Sequence, residues 1–341
     1  MKTLRNLTAL GLIGALALTA TSCGNTVNPG HEEETTQSFS ITAINATVGD
    51  FTRAHNATWD QGDEIGIFVV ADGEIIDQVA AYVLTGDNSF SPKDQPLSGE
   101  YKETLEVYAF YPYEAASLDS DPMMKTGTIG MYLAYQNDRL GTENGGNSCD
   151  LMVAEKVSYT NTGAPQEVVP SFKFRHVLSN VVIDVEEDPS VANKGFLPES
   201  VEIKLYSNHI GDDRPTGGEG HSGFFPGEVK YDVVGEQYFV TQRGDWEPRM
   251  IMTSGPNEEG LNDIAAASFM LVPFEAGLLE FYVIFPDGTE QRVGDRDFPG
   301  SLEPGKKYRY TVYVKPSDQT SQVDVTGVEA EIEDWVTQVD N

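Results

Sequence analysis

From Phe39 to Ile332 the chain repeats short stretches in which apolar and polar residues alternate, and no stretch shows a capped helical period. A backbone with that pattern buries its apolar side chains by pairing strands into sheets with one face turned inward. Residues 65–70, 80–84, 105–110, 201–205, 281–285 and 308–314 are the clearest strands. Asp72-Gly73, Gly86-Asp87-Asn88 and Pro286-Asp287-Gly288 are turn sequences among them. The spacing predicts an all-β protein of the sandwich type. A chain of 341 residues exceeds one ordinary β core, so two tandem β-sandwiches are expected, over residues 38–187 and 198–341. The break between them is placed in residues 186–198, EEDPSVANKGFLP, where charge, two prolines and a glycine interrupt the strand pattern.

Residues 1–22 read as a secretory signal: Lys2 and Arg5 precede an apolar run over residues 7–20, and small residues lead to Cys23. The run is shorter than the roughly 20 residues a bilayer needs. Cys23 stands where a lipoprotein carries its acylated cysteine; the alternative is an ordinary signal peptide ending near Ser22, with Cys23 incidental. Residues 23–37 are polar, contain Pro and Gly, lack an apolar period and read as a flexible tether. Acylation of Cys23 would leave Cys149 without a disulfide partner, so strand burial has to stabilise the fold.

The chain has 22 basic and 54 acidic residues, and loss of Lys2 and Arg5 with the signal leaves a net charge of −34. Such a surface repels phosphates, which argues against a nucleic-acid partner. His31, His55, His176, His209 and His221 are scattered at spacings unlike those of zinc sites. Gly220-His221-Ser222-Gly223-Phe224 carries Phe where a nucleophile elbow needs Gly, and the acidic loops around Asp212 and Glu258 fall short of a twelve-residue calcium loop. No catalytic residue, metal or cofactor is expected, and the chain does not read as an enzyme. His176, beside Arg175 on an apparent strand, reads as a packed or edge residue.

Several segments together resemble the fimbrillin family of Bacteroidetes, the lipoprotein subunits of type V pili. They are Cys23; Phe51-Thr52-Arg53-Ala54; residues 58–68, TWDQGDEIGIF; Tyr108-Ala109-Phe110-Tyr111-Pro112; Asp150-Leu151-Met152-Val153-Ala154; residues 174–179, FRHVLS; residues 302–308, LEPGKKY; and Ile332-Glu333-Asp334-Trp335. The resemblance implies two transthyretin-like β-sandwiches and a precursor lipidated at Cys23 in the outer membrane. It further implies trypsin-like cleavage after an arginine, loss of the first strand, and filling of the opened groove by a strand of a neighbouring subunit in a cell-surface fimbrium. The implied partners are other pilus subunits by strand exchange, the outer membrane through the lipid anchor and, for adhesion, a host or bacterial surface ligand. Six residues follow Trp335, which fits a tip or accessory subunit.

Two segments carry that mechanism in residue terms. In residues 38–48, SFSITAINATV, Phe39, Ile41 and Ala43 alternate and the register then shifts to Ile44, Ala46 and Val48, as in a strand with a bulge. Arg53, the first basic residue after the signal, follows in a small, polar stretch of the kind proteases cut, so Ala54 would become the new N-terminus. Near the C-terminus Val323 and Val325 share one face, Gly327 permits a slip, and Val328, Ala330 and Ile332 continue it. That strand can close its own sandwich or be donated. A rival reading is an uncleaved, surface glycan-binding lipoprotein, with Tyr132, Tyr135 and Trp246 as candidate sugar platforms, or a pilus anchor.

Overall fold

A computed structural model describes residues 35–48, 59–76, 78–118, 127–133, 150–193, 195–197, 200–207, 225, 228–239, 249–256, 262–264, 267–274, 279–293, 301–317 and 323–334. Their strands, in chain order, are β1 (Gln37–Ile41), β2 (Ile44–Val48), β3 (Glu64–Ala71), β4 (Glu74–Ile75), β5 (Ala80–Gly86), β6 (Ser89–Pro92), β7 (Leu97–Tyr101) and β8 (Thr104–Tyr111). Next come β9 (Thr128–Tyr132), β10 (Met152–Ala154), β11 (Val157–Thr160), β12 (Gln166–Val168), β13 (Ser171–His176), β14 (Ser179–Glu187), β15 (Ser200–Ser207) and β16 (Glu228–Asp232). The last are β17 (Gln237–Phe239), β18 (Arg249–Pro256), β19 (Asn262–Ile264), β20 (Ala267–Leu271), β21 (Leu279–Ile284), β22 (Glu290–Val293), β23 (Lys306–Pro316) and β24 (Val323–Asp334). The protein is all-β, as the alternation predicts.

The largest sheet runs β11-β8-β10-β13-β2-β6-β5-β3-β4, and β8 also pairs with β3. The strands β8, β10, β13, β2, β6, β5 and β3 therefore close a ring. Its apolar residues, among them Ile44, Ile67, Tyr82, Val107 and Phe174, form a first core, together with Phe39, Leu97 and Val168 of a three-stranded sheet, β12-β1-β7. A second core lies among the sheets β20-β14-β23-β24 and β19-β18-β15-β21-β22, with β9, β16 and β17 as a third small sheet against it.

Strands β3 and β8 serve both cores. Ile65, Ile67 and Val69 point into the first, while Phe68 and Val70 belong to the second. Leu105, Val107 and Ala109 divide from Tyr108 and Phe110 in the same way. The continuous apolar run at residues 65–70 follows from this, since a strand covered on both faces has no polar side. Gly66 lies opposite Phe110 across the β3–β8 ladder, and a Cβ there would overlap the Phe110 ring. Only glycine leaves room for that ring in its present place.

Strand β14, read from sequence as the last of the first sandwich, is hydrogen-bonded to β20 and β23 in the second core. Its residues Val181, Ile183 and Val185 are fully buried there. Physically, the change of sheet falls at Val177-Leu178, between β13 and β14, where two short apolar residues carry the chain across without a polar break.

At that crossing the His176 side chain is buried, with Nδ1 2.5 Å from Asp150 Oδ1. Pairing of β10 with β13 brings the two together, since Met152 faces His176 across the ladder. Burial pushes the Asp150 carboxyl up, and the imidazole beside it pulls less strongly the other way. Removing one partner strands the other in a dry interior. Asp150→Ala is therefore expected to cost about 3–5 kcal/mol of stability, read as a lowered denaturant midpoint with an unchanged slope.

Candidate functional site

The candidate site is a slot through the first core, and in this structure the chain's own residues 37–48 fill it. Strand β1 lies between β12, to which it runs parallel, and β7, to which it is antiparallel. Strand β2 lies between β13, parallel, and β6, antiparallel. Both strands are therefore paired along both edges. Phe39, Ile41, Ile44 and Ala46 are each at most 3% exposed. Ala43 and Val48 are half-buried. The predicted bulge is instead a corner: β1 ends at Ile41, β2 starts at Ile44, and at Thr42-Ala43 the chain leaves one sheet for the other.

Two side chains outside the segment hold its main chain. The Trp59 indole N–H donates to the Ala46 carbonyl at 2.7 Å, and the Tyr82 hydroxyl donates to the Ile41 carbonyl at 2.8 Å while accepting from the Leu97 amide at 3.1 Å. Trp59 packs edge-on against Phe90 and Phe174, each with ring centroids 5.2 Å away. A tight turn fixes it there. Asp63 N donates to Asp60 O at 3.0 Å, the Asp60 amide donates to Asp63 Oδ2 at 2.7 Å, and Gly62 has a φ of 101°. That is the turn the Trp-Asp-Gln-Gly-Asp sequence predicts, with glycine at the left-handed position and a carboxylate on an exposed amide. The Tyr111 hydroxyl donates to the other oxygen of Asp63 at 3.1 Å, and burial pushes both the Asp63 carboxyl and the Tyr111 phenol up.

Gln37, assigned to the tether from sequence, begins β1 and is buried. Its amide donates to Gln166 Oε1 at 3.1 Å and accepts from the amides of Thr162, at 2.5 Å, and Gly163, at 3.2 Å. Sequence reasoning missed Gln37 and Tyr82. For Tyr82 a signal existed, because a tyrosine at the centre of an apolar strand has to place its hydroxyl on a partner. Cys23, Arg53, Ala54 and Cys149 lie outside the described residues, as do Tyr135 and Trp246 of the glycan-binding alternative. Tyr132, at the end of β9, is exposed.

The C-terminal segment contrasts with the first. Among the described residues β24 is the edge of its sheet and pairs antiparallel with β23 alone. Val325, Val328, Ala330 and Ile332 stand opposite Val314, Val312, Tyr310 and Tyr308, so they share the face those residues bury. The register shifts between Gly327 and Val325, where the slip is expected. Val325 and Val328 are half-buried against the second core, whereas Ala330 is exposed and Ile332 is 55% exposed. In this structure β24 closes its own sheet, with little of its apolar face covered. Among the described residues no group of His, Cys, Asp and Glu is placed to hold a metal ion.

The fimbrillin-like family model matches residues 52–216. No curated protein matches the chain. Among solved structures, a candidate cell adhesion protein from Bacteroides uniformis superposes at a TM-score of 0.55 and 19% identity, over 86% of this chain and 98% of that one. A second, from Bacteroides ovatus, gives 0.55 at 16% identity over 89% and 99%. The fimbrial anchor protein Mfa2 from Porphyromonas gingivalis aligns over 88% of this chain and 98% of its own, at a TM-score of 0.43 and 14% identity. The two Bacteroides structures share this fold, and the chain resembles the fimbrillin family, as its ordered motifs predict.

Trp59→Phe keeps an aromatic ring but removes the indole donor to the Ala46 carbonyl, which retains the Asn88 side-chain amide as a donor. The expected loss is about 0.5–1.5 kcal/mol, read as a lower unfolding midpoint, with hydrogen exchange in β2 accelerated more than in β23.

Proposed function

We propose that this fimbrillin-like chain is a pilus subunit: a lipoprotein acylated at Cys23, carried to the outer membrane, cleaved between Arg53 and Ala54, and joined to its neighbours by strand donation in a cell-surface fimbrium that serves adhesion. The observation that carries the reading is the place of residues 37–48. They supply interior strands to two sheets and bury Phe39, Ile41, Ile44 and Ala46, yet only Gly49-Asp50-Phe51-Thr52 stand between their end and Arg53. A cut after Arg53 would free the segment from the chain that holds its slot.

The slot without its strand is unstable for two physical reasons. Burying a large apolar side chain contributes about 1.5–3 kcal/mol, so several exposed together leave a strongly attractive groove. The freed edges of β12, β7, β13 and β6 also carry unpaired N–H and C=O groups, which an extended strand satisfies by main-chain bonds alone. β24, paired on one edge and shallowly packed, is the segment of this chain suited to leave its place and fill such a groove. A division into two sandwiches, with the boundary near Val177 at the change of core, belongs to the same proposal. The cell-adhesion descriptions of the two Bacteroides structures support an adhesive role, and assembly of this kind needs no catalytic group.

The test is limited digestion of the signal-less precursor with a trypsin-like arginine protease, followed by N-terminal sequencing and mass measurement in solution. A single cut giving Ala54 as the new N-terminus, loss of the 23–53 fragment and ordered multimers are expected. Resistance at Arg53 would defeat the reading and favour an uncleaved surface glycan-binding lipoprotein or a pilus anchor.

A further inference from the structure

The outward face of the sheet β19-β18-β15-β21-β22 is laid out in rows. Strand pairing sets Ile251, Glu202, Ile284 and Glu290 side by side in one row, and Arg249, Lys204, Tyr282 and Arg292 side by side in the next. The alternate residues Ile203, Phe281, Val283 and Val293 are buried in the second core, so both rows face away from it. Ile251 is 64% exposed, more than any other large apolar side chain among the described residues. Each cation is held by a carboxylate of an adjacent row: Arg249 Nη1 lies 3.3 Å from Glu202 Oε1, Lys204 pairs with Glu290, and Arg292 pairs with Glu280. The Lys204 ammonium also stands 4.7 Å from the centroid of the Tyr282 ring.

We infer that this face is where two copies of the chain meet, each row of one lying against the other row of its neighbour. Charge selects the partner. The chain has 22 basic and 54 acidic residues, yet Lys204, Arg249 and Arg292 balance Glu202, Glu280 and Glu290 on this face. Two copies repel over an acidic surface, and a neutral face with both signs in register is where they can approach. A two-fold axis running along the rows, midway between them, turns one sheet over onto the other and exchanges the rows. Glu202 then meets Lys204 of the other copy, Glu290 meets Arg292, Ile284 meets Tyr282, and Ile251 meets the aliphatic stem of Arg249. Symmetry repeats every contact. An axis along the strands would instead set Arg249 against Arg292, like charge against like.

Because the carboxylates already hold the cations in place, less side-chain freedom is lost on docking. Two rows across four strands cover less than the ~800 Å² per partner of a standard interface, so the dimer is weak and forms at high local concentration. The contact uses neither residues 37–48 nor β24 and needs no cleavage, so it stands apart from strand donation. Repeated along the fimbria proposed above, it would hold neighbouring fibres side by side.

The test is sedimentation equilibrium of the uncleaved, signal-less chain, with Cys23→Ser and Cys149→Ser to exclude disulfides, from about 1 μM to about 1 mM. A monomer–dimer equilibrium is expected. Ile251→Asp, Glu290→Arg and Arg292→Glu should each weaken it at least about tenfold, with the unfolding midpoint little changed, as for other surface substitutions. Row exchange makes a sharper demand. Glu290→Arg chains mixed with Arg292→Glu chains should dimerise with each other, because the mixed pair keeps one native contact and restores the second with its charges reversed. That recovery also separates a lost contact from a misfolded chain. A dimer strengthened by Arg292→Glu would overturn the row exchange in favour of the axis along the strands. Dimers indifferent to all three substitutions would overturn this face as the interface. A chain that stays monomeric throughout would overturn the second copy as the occupant and leave the face to a different partner.

Discussion

Seven strands close a ring around the first core only because β2 lies between β13 and β6. β1 does the same for the sheet that covers that core, between β12 and β7. Twelve consecutive residues, 37–48, therefore complete two sheets at once. Their anchoring is mostly independent of side-chain identity, because ladder bonds and the donors of Trp59 and Tyr82 all meet the main chain. The side-chain requirement reduces to apolar groups at fixed intervals, with a small one at Ala46.

The two segments, residues 37–48 and β24, are held in opposite ways. Residues 37–48 are deep, paired on both sides and closed over by an aromatic cluster of Trp59, Phe90 and Phe174. β24 is paired on one side, and its apolar face is only partly covered by the second core. Exposed Glu329 and Glu331 alternate with that face, and charge on an edge strand discourages indiscriminate pairing. A strand paired along one edge and a slot that is costly to leave empty are complementary physical properties. They occur here in one chain.

Much of this was legible in the residues. Alternation located the strands, and the Trp59-Asp60-Gln61-Gly62-Asp63 turn was readable from a glycine with acids beside it. The slips after Ile41 and Val325 were visible as breaks in a period of two. Other features were not legible, for reasons that can be named. The corner at Thr42-Ala43 has the sequence of a bulge, because both shift the inward face by one residue. The partners of β14 were not legible because its short apolar stretch, Val181 to Val185, fits any sheet, and β20 and β23 lie far along the chain. Gln37 was hidden because a polar side chain at a strand end is ordinarily exposed, and its burial depends on partners far along the chain, Gln166 and the amides of Thr162 and Gly163. Asp150 and His176 each sat in a quoted motif, but nothing local says that β10 and β13 lie side by side.

The sequence by itself determined the all-β class and the faces of the strands, since these depend on the two-residue period of an extended backbone. The tertiary structure alone decided that the first segment is interior and the last is an edge. Alternation states which side chains face a core, but the number of neighbours a strand has is set by main-chain bonds to distant segments, and every residue except proline carries the same donor and acceptor for those bonds.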